Sequence, residues 1–309
     1  MQTYNRRGFL QFTTAAATAA VAGQLSASVP VDTSKKALRL GLLVFVSDNP
    51  ESDIAHVHGL GLPTAHVSIQ DVSPAMATRL RSALDRYEVE ATVIHSSGPG
   101  EEKYDLVQAP PMFGLVSSRY RRERIDHLKR ASDFAKQVGV PALFNQWGFI
   151  PEVPSDPLYE PTVMAAREIA NHCRGNGQMF FNETGQETPT TLKRAIMDVN
   201  QPNLGVGLDT ANLILYGKAN PVDAVDILGD HVRSIHAKDG RWPTNPSELG
   251  EEVQIGKGLV DFKQVFTKLH KLGYTGAVTI ERETSGPQQI EDVRQEKIYL
   301  EKILREVLA

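Results

Sequence analysis

The sequence predicts an α/β fold, a single (β/α)8 TIM barrel with a parallel eight-stranded core. After Lys36, eight short apolar segments rich in Val, Ile, Leu and Phe alternate with longer amphipathic segments. Strands that alternate with helices are typical of parallel βαβ units. Eight such units within about 280 residues match the size and strand count of this barrel. We therefore expect one barrel domain over residues 37–309.

Each predicted strand is a run of β-branched and aromatic residues, which favour extended backbone. The predicted strands are 38–46, 64–69, 90–95, 141–147, 178–183, 203–209, 232–239 and 276–283. Between them lie segments with an apolar stripe at helical spacing, several of which close on glycine. The predicted helices are 75–88, 117–139, 161–177, 189–200, 261–274 and 286–309. Two long irregular segments, 96–114 and 240–260, follow strands, which predicts substrate walls on the active face or disordered surface loops.

The first 28 residues have the pattern of an export signal. Arg6 and Arg7 are adjacent, Phe9 and Leu10 follow, and an uncharged Ala/Thr-rich run comes next. The segment NRRGFLQ resembles the twin-arginine signal, which predicts a cleaved signal peptide over 1–28 and a periplasmic or otherwise exported protein. The alternative is an amphipathic or disordered tail. No other segment is long and apolar enough to predict a membrane span.

The bulk composition is that of an ordinary globular domain. Apolar residues make up 41% and charged residues 23% of the chain, and the formal net charge is -4. A weakly acidic chain without a basic run has no electrostatic reason to bind nucleic acid or an anionic membrane. Cys173 is the single cysteine, so an internal disulfide cannot form.

Four successive late strands end in, or carry near their ends, residues that can bind a metal. Glu183, Asp209, His236 and Glu281 belong to predicted strands five to eight, at spacings of 26, 27 and 45 residues. Because strand C-termini converge at one end of a barrel, these side chains are expected to meet. Taken singly, such a His is more often a hydrogen-bonded core residue and such a Glu a solvated loop residue.

Three carboxylates at one site repel one another and resist ionisation unless a cation compensates them. An oxygen-rich set with one imidazole suits Mn²⁺, Mg²⁺ or Co²⁺ better than structural zinc. The sequence therefore predicts one divalent cation, with Mn²⁺ preferred and Mg²⁺, Co²⁺ or Zn²⁺ as alternatives. An octahedral site would keep two positions for adjacent oxygens of a sugar.

These residues resemble the xylose isomerase-like TIM-barrel superfamily of sugar isomerases and epimerases, which includes ketose 3-epimerases and inosose isomerases. The resemblance is carried by ETGQETPTTL (183–192), LDTANLILYGKANPVDA (208–224), SIHAKDG (234–240), IGKGLVDF (255–262) and TIERE (279–283). It implies a cation held by Glu183, Asp209, His236 and Glu281. It also implies that Glu183 and Glu281 move the proton between the two faces of the carbon beside the carbonyl. Related barrels often form dimers or tetramers, so a homo-oligomer is one option.

Two positions depart from the family pattern. Asn212 stands three residues after Asp209, where many ketose epimerases have a substrate-binding histidine, and predicted strand four ends in Gln146 and Trp147 rather than a histidine. Fewer histidines argue against the trinuclear zinc cluster of endonuclease IV relatives. The departures also argue against an ordinary ketohexose substrate.

Several further residues are candidates for substrate binding. Lys238 is expected either to hold a substrate oxygen or to pair with Asp239, and His95 to line the pocket or to remain hydrogen-bonded at its strand end. Trp147 and Phe149 would form a sugar-stacking wall or pack in the core. The remaining substrate-binding candidates are Asn212 and Gln146. Weaker metal candidates are the pair His56 and His58, and Glu283, while Glu187 is expected to be a loop or helix-cap residue.

The sequence thus predicts a metal-dependent sugar isomerase or epimerase that removes a proton beside a carbonyl through a metal-stabilised enediolate. Its expected substrate is a free or oxidised sugar, or a glycoside with a keto group. One alternative is a lyase or hydrolase that acts on 3-keto-glycosides with the same metal and base. A second alternative is a carbohydrate-binding barrel without catalysis.

Overall fold

Residues 38–309 are described here from a computed structural model. They form a closed barrel of eight parallel strands. The barrel strands are β1 (Leu40–Phe45), β2 (Thr64–Ser68), β3 (Glu90–His95), β4 (Ala142–Asn145), β5 (Met179–Glu183), β6 (Leu204–Asp209), β7 (Val232–Ala237) and β10 (Val278–Ile280). Around the barrel they follow the order β1-β10-β7-β6-β5-β4-β3-β2. The predicted fold class and all eight predicted strands are confirmed.

Helices connect the strands and surround the barrel. They are α1 (Pro50–Gly59), α2 (Pro74–Tyr87), α3 (Arg121–Val138), α4 (Tyr159–Gly175), α5 (Pro189–Val199), α6 (Asn212–Leu215), α7 (Pro221–Leu228), α8 (Phe262–Lys271) and α9 (Pro287–Leu308). The helix prediction omitted α1, α6 and α7. These helices have four to ten residues, which is too short for a clear apolar stripe.

The long segment after β7 is more regular than its sequence predicts. An antiparallel hairpin, β8 (Asp239–Arg241) with β9 (Glu251–Val253), forms within it. The carboxylate of Asp239 accepts backbone N–H groups from Gly240, Gly256, Gly258 and Val260 at 2.9 to 3.1 Å. Because four donors converge on one side chain, the returning half of this segment is attached to the end of β7.

The barrel interior is filled by a small set of side chains. Val93, Ala142, Phe144 and Phe181 form this inner cluster, while the larger apolar core lies between the strands and the helices. Space for the rings comes from glycine on β6. A Cβ on Gly207 would lie 2.0 Å from the Phe144 ring, and a Cβ on Gly205 would lie 2.7 Å from the Phe181 ring.

The loop after β5 is short and closes on a capped helix. Thr188 accepts the backbone N–H of Thr191 at 3.4 Å, and Pro189 occupies the first turn of α5. Both features favour a helix start at this point. The loop therefore returns to the outer layer within five residues of Glu183, and the end of β5 stays at the barrel mouth.

Within residues 38–309, no helix has the length and apolar character needed to cross a bilayer. The predicted signal peptide, residues 1–28, lies outside the described residues.

Candidate active site

The four residues singled out at the strand ends lie together at the mouth of the barrel. Glu183 and Asp209 are the last residues of β5 and β6, His236 lies in β7, and Glu281 directly follows β10. Their candidate ligand atoms all lie within 4.8 Å of one another, and all four side chains are buried. The register explains this, because His236 is level with Asp209 on one side and with Thr279 on the other.

Asp209 has one oxygen hydrogen-bonded to the backbone and one oxygen that lies 4.0 Å from Nζ of Lys238. Its Oδ1 accepts the backbone N–H groups of Ala211 and Asn212, each at 2.8 Å. Its Oδ2 is buried and has no hydrogen-bond partner among the described residues. Burial raises the pKa of Asp209 well above its usual value; the charge of Lys238 opposes this shift, and the charges of Glu281 and Glu183 add to it. A cation beside Oδ2 would satisfy this atom.

Glu183 and Glu281 both approach the same nitrogen of His236. Nδ1 of His236 lies 2.7 Å from Oε1 of Glu183 and 2.6 Å from Oε2 of Glu281. A ring nitrogen carries one proton at most, and the hydrogen bond at Nδ1 goes to Glu183, so Oε2 of Glu281 has no hydrogen-bond partner within residues 38–309. Two carboxylates and an imidazole that converge this closely form a set suited to a divalent cation.

The second oxygen of each glutamate is held by a different kind of donor. Oε2 of Glu183 accepts a hydrogen bond from the neutral amide of Gln146. Oε1 of Glu281 accepts one from the ammonium group of Lys238 at 3.1 Å. Burial alone would raise the pKa of Glu281, but the charges of Lys238 and His236 hold it well below its usual value. The two glutamates are therefore electrostatically unequal.

The charges of the cluster also act on its basic members. Burial alone would lower the pKa of His236, but Glu281 and Glu183 outweigh burial and raise it to about 10. Burial opposes the charge of Lys238 as well, yet Glu281, Asp209 and Glu283 raise its pKa well above its usual value. Both pKa values are raised by the negative charge of the neighbouring carboxylates. A divalent cation bound among these carboxylates would replace the proton on His236.

Lys238 lies inside the site and does not pair with Asp239. Its Nζ donates to Glu281, to Glu283 at 2.7 Å and to Asn212 at 3.3 Å. The Asp239 carboxylate points to the backbone of its own loop instead, so the alternative of a Lys238–Asp239 pair is wrong. Lys238 lies between the end of β7 and Asp239, the first residue of β8, and successive residues of an extended segment face opposite sides.

The other predicted substrate-binding residues divide into two groups. Gln146 contacts Glu183, and Asn212 contacts Lys238, so both residues belong to the site. Trp147 is 1% exposed, packs on Phe180 with ring centroids 5.9 Å apart, and donates its backbone N–H to Asn182. Its position corresponds to the core-packing alternative.

Phe149 is partly exposed and lies among polar and aromatic neighbours. Its ring centroid is 5.7 Å from that of Tyr216 and 6.4 Å from that of Phe113, and Nζ of Lys218 lies 5.7 Å from it. Tyr216 in turn packs beside Gly185, two residues after Glu183. This aromatic group borders the loop that leaves the site.

The histidines of β2 and β3 lie behind the cluster. His66, which was not predicted, places its Nδ1 2.9 Å from Nε2 of His236. His95 lies edge-on to His66, with ring centroids 5.9 Å apart, and both of its nitrogens lack hydrogen-bond partners among residues 38–309. Burial lowers the pKa of both histidines. The sequence signal for His66 is a lone histidine within an apolar strand, TAHVSI.

The weaker candidates lie outside the four-residue cluster. His56 and His58 occupy the last turn of α1, and His58 contacts the backbone oxygen of Tyr87. Glu283 pairs with Lys238. Glu187 is buried, accepts a hydrogen bond from Asn182 at 3.0 Å, and does not cap α5, since Thr188 does so. Within residues 38–309, Glu183, Asp209, His236 and Glu281 form the one group of this kind that could hold a metal.

The fold and the site define a TIM-barrel protein with a buried carboxylate–imidazole group where its strands converge. The chain belongs to the xylose isomerase-like TIM barrel family, whose model matches residues 55–303. It is 33% identical to a xylose isomerase domain protein from Planctomyces limnophilus, with a TM-score of 0.83 over 88% of this chain and 99% of that one.

Two further relatives carry functional names. An inosose dehydratase from Geobacillus kaustophilus is 26% identical over 145 residues, which are 42% of this chain and 47% of that protein. The chain thus matches less than half of the dehydratase. A D-tagatose 3-epimerase-like protein shares the fold, with 21% identity and a TM-score of 0.69 over 87% of this chain and 98% of that one.

Proposed function

We propose that this protein is a divalent-cation-dependent sugar isomerase or epimerase that moves a proton at the carbon beside a carbonyl group. One observation carries the proposal: three carboxylates and one imidazole, from four neighbouring barrel strands, converge within 4.8 Å in a buried site. Family membership and the epimerase-like and dehydratase relatives support an enzymatic role. A carbohydrate-binding barrel without catalysis has no need of such a charged group.

The donor atoms fit a cation with oxygen-rich coordination. Oδ2 of Asp209 and Oε2 of Glu281 are buried without hydrogen-bond partners among the described residues, and both belong to the cluster. Glu183, Asp209, His236 and Glu281 would hold the cation, for which we favour Mn²⁺, with Mg²⁺, Co²⁺ and Zn²⁺ as alternatives. When bound, the cation would polarise the substrate carbonyl and stabilise negative charge on its oxygen.

The chain itself supplies two groups able to move a proton. Glu183 ends β5 and Glu281 directly follows β10, and these strands are separated by β6 and β7 in the barrel, so the two carboxylates approach the site from different sides. The neutral amide of Gln146 donates to Glu183, whereas the ammonium group of Lys238 donates to Glu281 and stabilises its ionised form. One ionised carboxylate would remove the proton. The other would return a proton on the opposite face after receiving it from a neighbouring donor, which for Glu281 is the ammonium group of Lys238.

The substrate that suits this site is a free or oxidised sugar, or a glycoside with a keto group. Lys238 and Asn212 would hold its oxygens, and Gln146 would keep Glu183 in place. Residues 1–28 resemble an export signal, which supports a periplasmic or otherwise exported enzyme. Sugar phosphates would need a cytoplasmic source, so they suit an exported enzyme poorly.

A second candidate is a lyase acting on a keto sugar or a 3-keto-glycoside. The inosose dehydratase relative favours it, because elimination of water or an alcohol begins with the same proton removal. Here Glu281 and Lys238 would assist the leaving group rather than return the proton to carbon. The two candidates differ in their products and share their first step.

The test is proton exchange in D2O. The Mn²⁺-loaded protein is incubated with ketoses, aldoses and 3-keto-glycosides, the cation and protein are removed, and the sugars are examined by NMR. We expect deuterium beside one carbonyl, and a rate at least about 100-fold lower in Glu183→Gln and Glu281→Gln. The product distinguishes epimerisation from elimination.

The controls separate proton transfer from cation binding. The cation content of each variant is measured in parallel, and Glu160→Gln on the exposed start of α4 serves as the matched substitution. Loss of exchange in a variant that still holds the cation assigns the proton transfer to that glutamate. The proposal is wrong if the cation-loaded wild type exchanges no proton on any sugar and converts none of them.

A further inference from the structure

His66 contacts the side of His236 that faces away from the two glutamates. His66 lies in β2 and His236 in β7, and both side chains are almost completely buried. Nδ1 of His66 and Nε2 of His236 are 2.9 Å apart, which is a hydrogen-bond distance. The two nitrogens of the His236 ring are thus divided between the carboxylates and His66.

If His236 binds a cation, the positions of the protons on the two histidine rings follow from this contact. A ligating nitrogen carries no proton, and Nδ1 of His236 is the nitrogen that faces Glu183 and Glu281. The remaining ring proton is then on Nε2, which donates to Nδ1 of His66. His66 must be neutral with its own proton on Nε2, because Nδ1 serves as the acceptor.

The other neighbour of the ring cannot set this arrangement. Phe144 stacks on His236 with ring centroids 4.9 Å apart and an angle of 26° between the planes. Such a contact restricts the tilt of the imidazole, but an aromatic ring does not distinguish its two tautomers. Among the described residues, His66 is the one hydrogen-bond partner of Nε2 of His236.

We propose that His66 is a positioning residue, which accepts the Nε2 proton of His236 and thereby holds the tautomer and ring orientation needed for cation binding through Nδ1. The proposal rests on the cation site proposed above. It extends that site to a buried histidine on β2, which is separated from β7 by β1 and β10 in the barrel. Outer hydrogen-bond partners of this kind orient a metal-binding histidine and raise its basicity.

The test is a set of Mn²⁺ binding isotherms, measured by calorimetry on the wild type and three variants. His66→Phe removes the acceptor and keeps an aromatic ring, and we expect the Kd for Mn²⁺ to rise about 10- to 100-fold. His66→Asn keeps an oxygen that can accept the proton, and it should retain most of the affinity. His127→Phe is the matched control, because His127 is a buried histidine that bonds to Ser96 and to no residue of the cluster, and its Kd should not change.

The tautomer is read directly by ¹⁵N NMR of histidine-labelled protein loaded with Mg²⁺. We expect the wild-type His236 to carry its proton on Nε2, and His66→Phe to lose this single tautomer. Near-UV circular dichroism checks that each variant is folded, and His66→Asn keeps the test decisive if His66→Phe is not.

The outcomes separate this proposal from the function proposed above. It is overturned if His66→Phe binds Mn²⁺ as tightly as the wild type, or if His66→Asn loses as much affinity as His66→Phe. A wild type that binds no divalent cation would instead refute the cation site itself, and the role of His66 with it.

Discussion

The ring of Phe144 on β4 occupies the space in which a side chain on residue 207 of β6 would otherwise lie. A Cβ on Gly207 would come within 2.0 Å of Cε2 and 2.6 Å of Cζ of that ring. The same ring stacks on His236. Because the interior of the barrel is closely packed, the absence of a side chain at Gly207 leaves room for the ring that stacks on His236 of the candidate metal site.

Gly207→Ala should destabilise the protein and disturb the site. The added methyl group displaces Phe144, and overpacking of this kind costs about 1–3 kcal/mol of the free energy of unfolding. Urea unfolding measures the loss, and Gly207→Ala with Phe144→Leu should recover part of it. Gly175→Ala, where nothing lies within 4 Å of the added Cβ, should cause no loss. An unchanged unfolding midpoint in Gly207→Ala would contradict the packing argument.

Asp209→Asn should abolish cation binding while it preserves the local backbone. The Asn oxygen can still accept the N–H groups of Ala211 and Asn212, but an amide NH2 replaces Oδ2, the oxygen without a hydrogen-bond partner among the described residues. In the wild type, Mn²⁺ at 100 times its Kd should raise the free energy of unfolding by about 2.7 kcal/mol.

The measurement is thermal unfolding with and without Mn²⁺. The wild type should show a higher melting temperature with the ion, and Asp209→Asn should not respond. The prediction fails if the variant is stabilised by Mn²⁺ to the same extent.

Asp239→Asn should loosen the segment that follows the β8–β9 hairpin. The Asp239 carboxylate accepts four backbone N–H groups, two on each oxygen, and an amide leaves two of these donors unsatisfied. A buried donor without a partner, as at Gly240 or Val260, costs about 1–3 kcal/mol, whereas the exposed Gly256 amide would turn to solvent. Hydrogen exchange of the Gly256 and Gly258 amides should become faster, while Asp230→Asn, an exposed substitution, leaves it unchanged. Equal protection in Asp239→Asn and the wild type would refute the anchoring role.

Glu187 should make stability fall as the pH rises. Burial raises the pKa of its carboxyl from 4.5 to about 8. The folded protein therefore holds this proton more tightly than the unfolded chain does. The protonated Glu187 contributes on the order of 3–5 kcal/mol to the free energy of unfolding. This contribution is fully present below about pH 4.5 and is lost as the pH rises through about 8.

Glu187→Gln removes this titration and keeps an oxygen that accepts from Asn182. Urea unfolding at pH 5, 7 and 9 should show the wild type losing stability relative to the variant as the pH rises. Glu160→Gln should run parallel to the wild type. A constant difference between wild type and Glu187→Gln at all three pH values would rule out the effect.

The agreement between sequence and structure is best where local pattern and parallel geometry act together. The ends of β5 and β6 were predicted at Glu183 and Asp209, and both strands end there. The prediction succeeded because an apolar strand inside a barrel must change to polar residues where it reaches the mouth. The prediction was poorer for the last barrel strand, which was predicted as 276–283 and spans only Val278–Ile280. The polar residues after Ile280 resemble a continuing strand in sequence.

The sequence by itself determined the class of fold and the four residues that meet at the mouth. Alternating strand and helix patterns imply parallel units, and parallel units bring their strand ends together. Only the tertiary structure decided how those residues are engaged: Gln146 on Glu183, Lys238 on Glu281, and His66 on His236. The last two contacts join residues 43 and 170 positions apart in the chain. Such contacts depend on closure of the barrel and on the rotamers of packed side chains, neither of which leaves a local pattern in sequence.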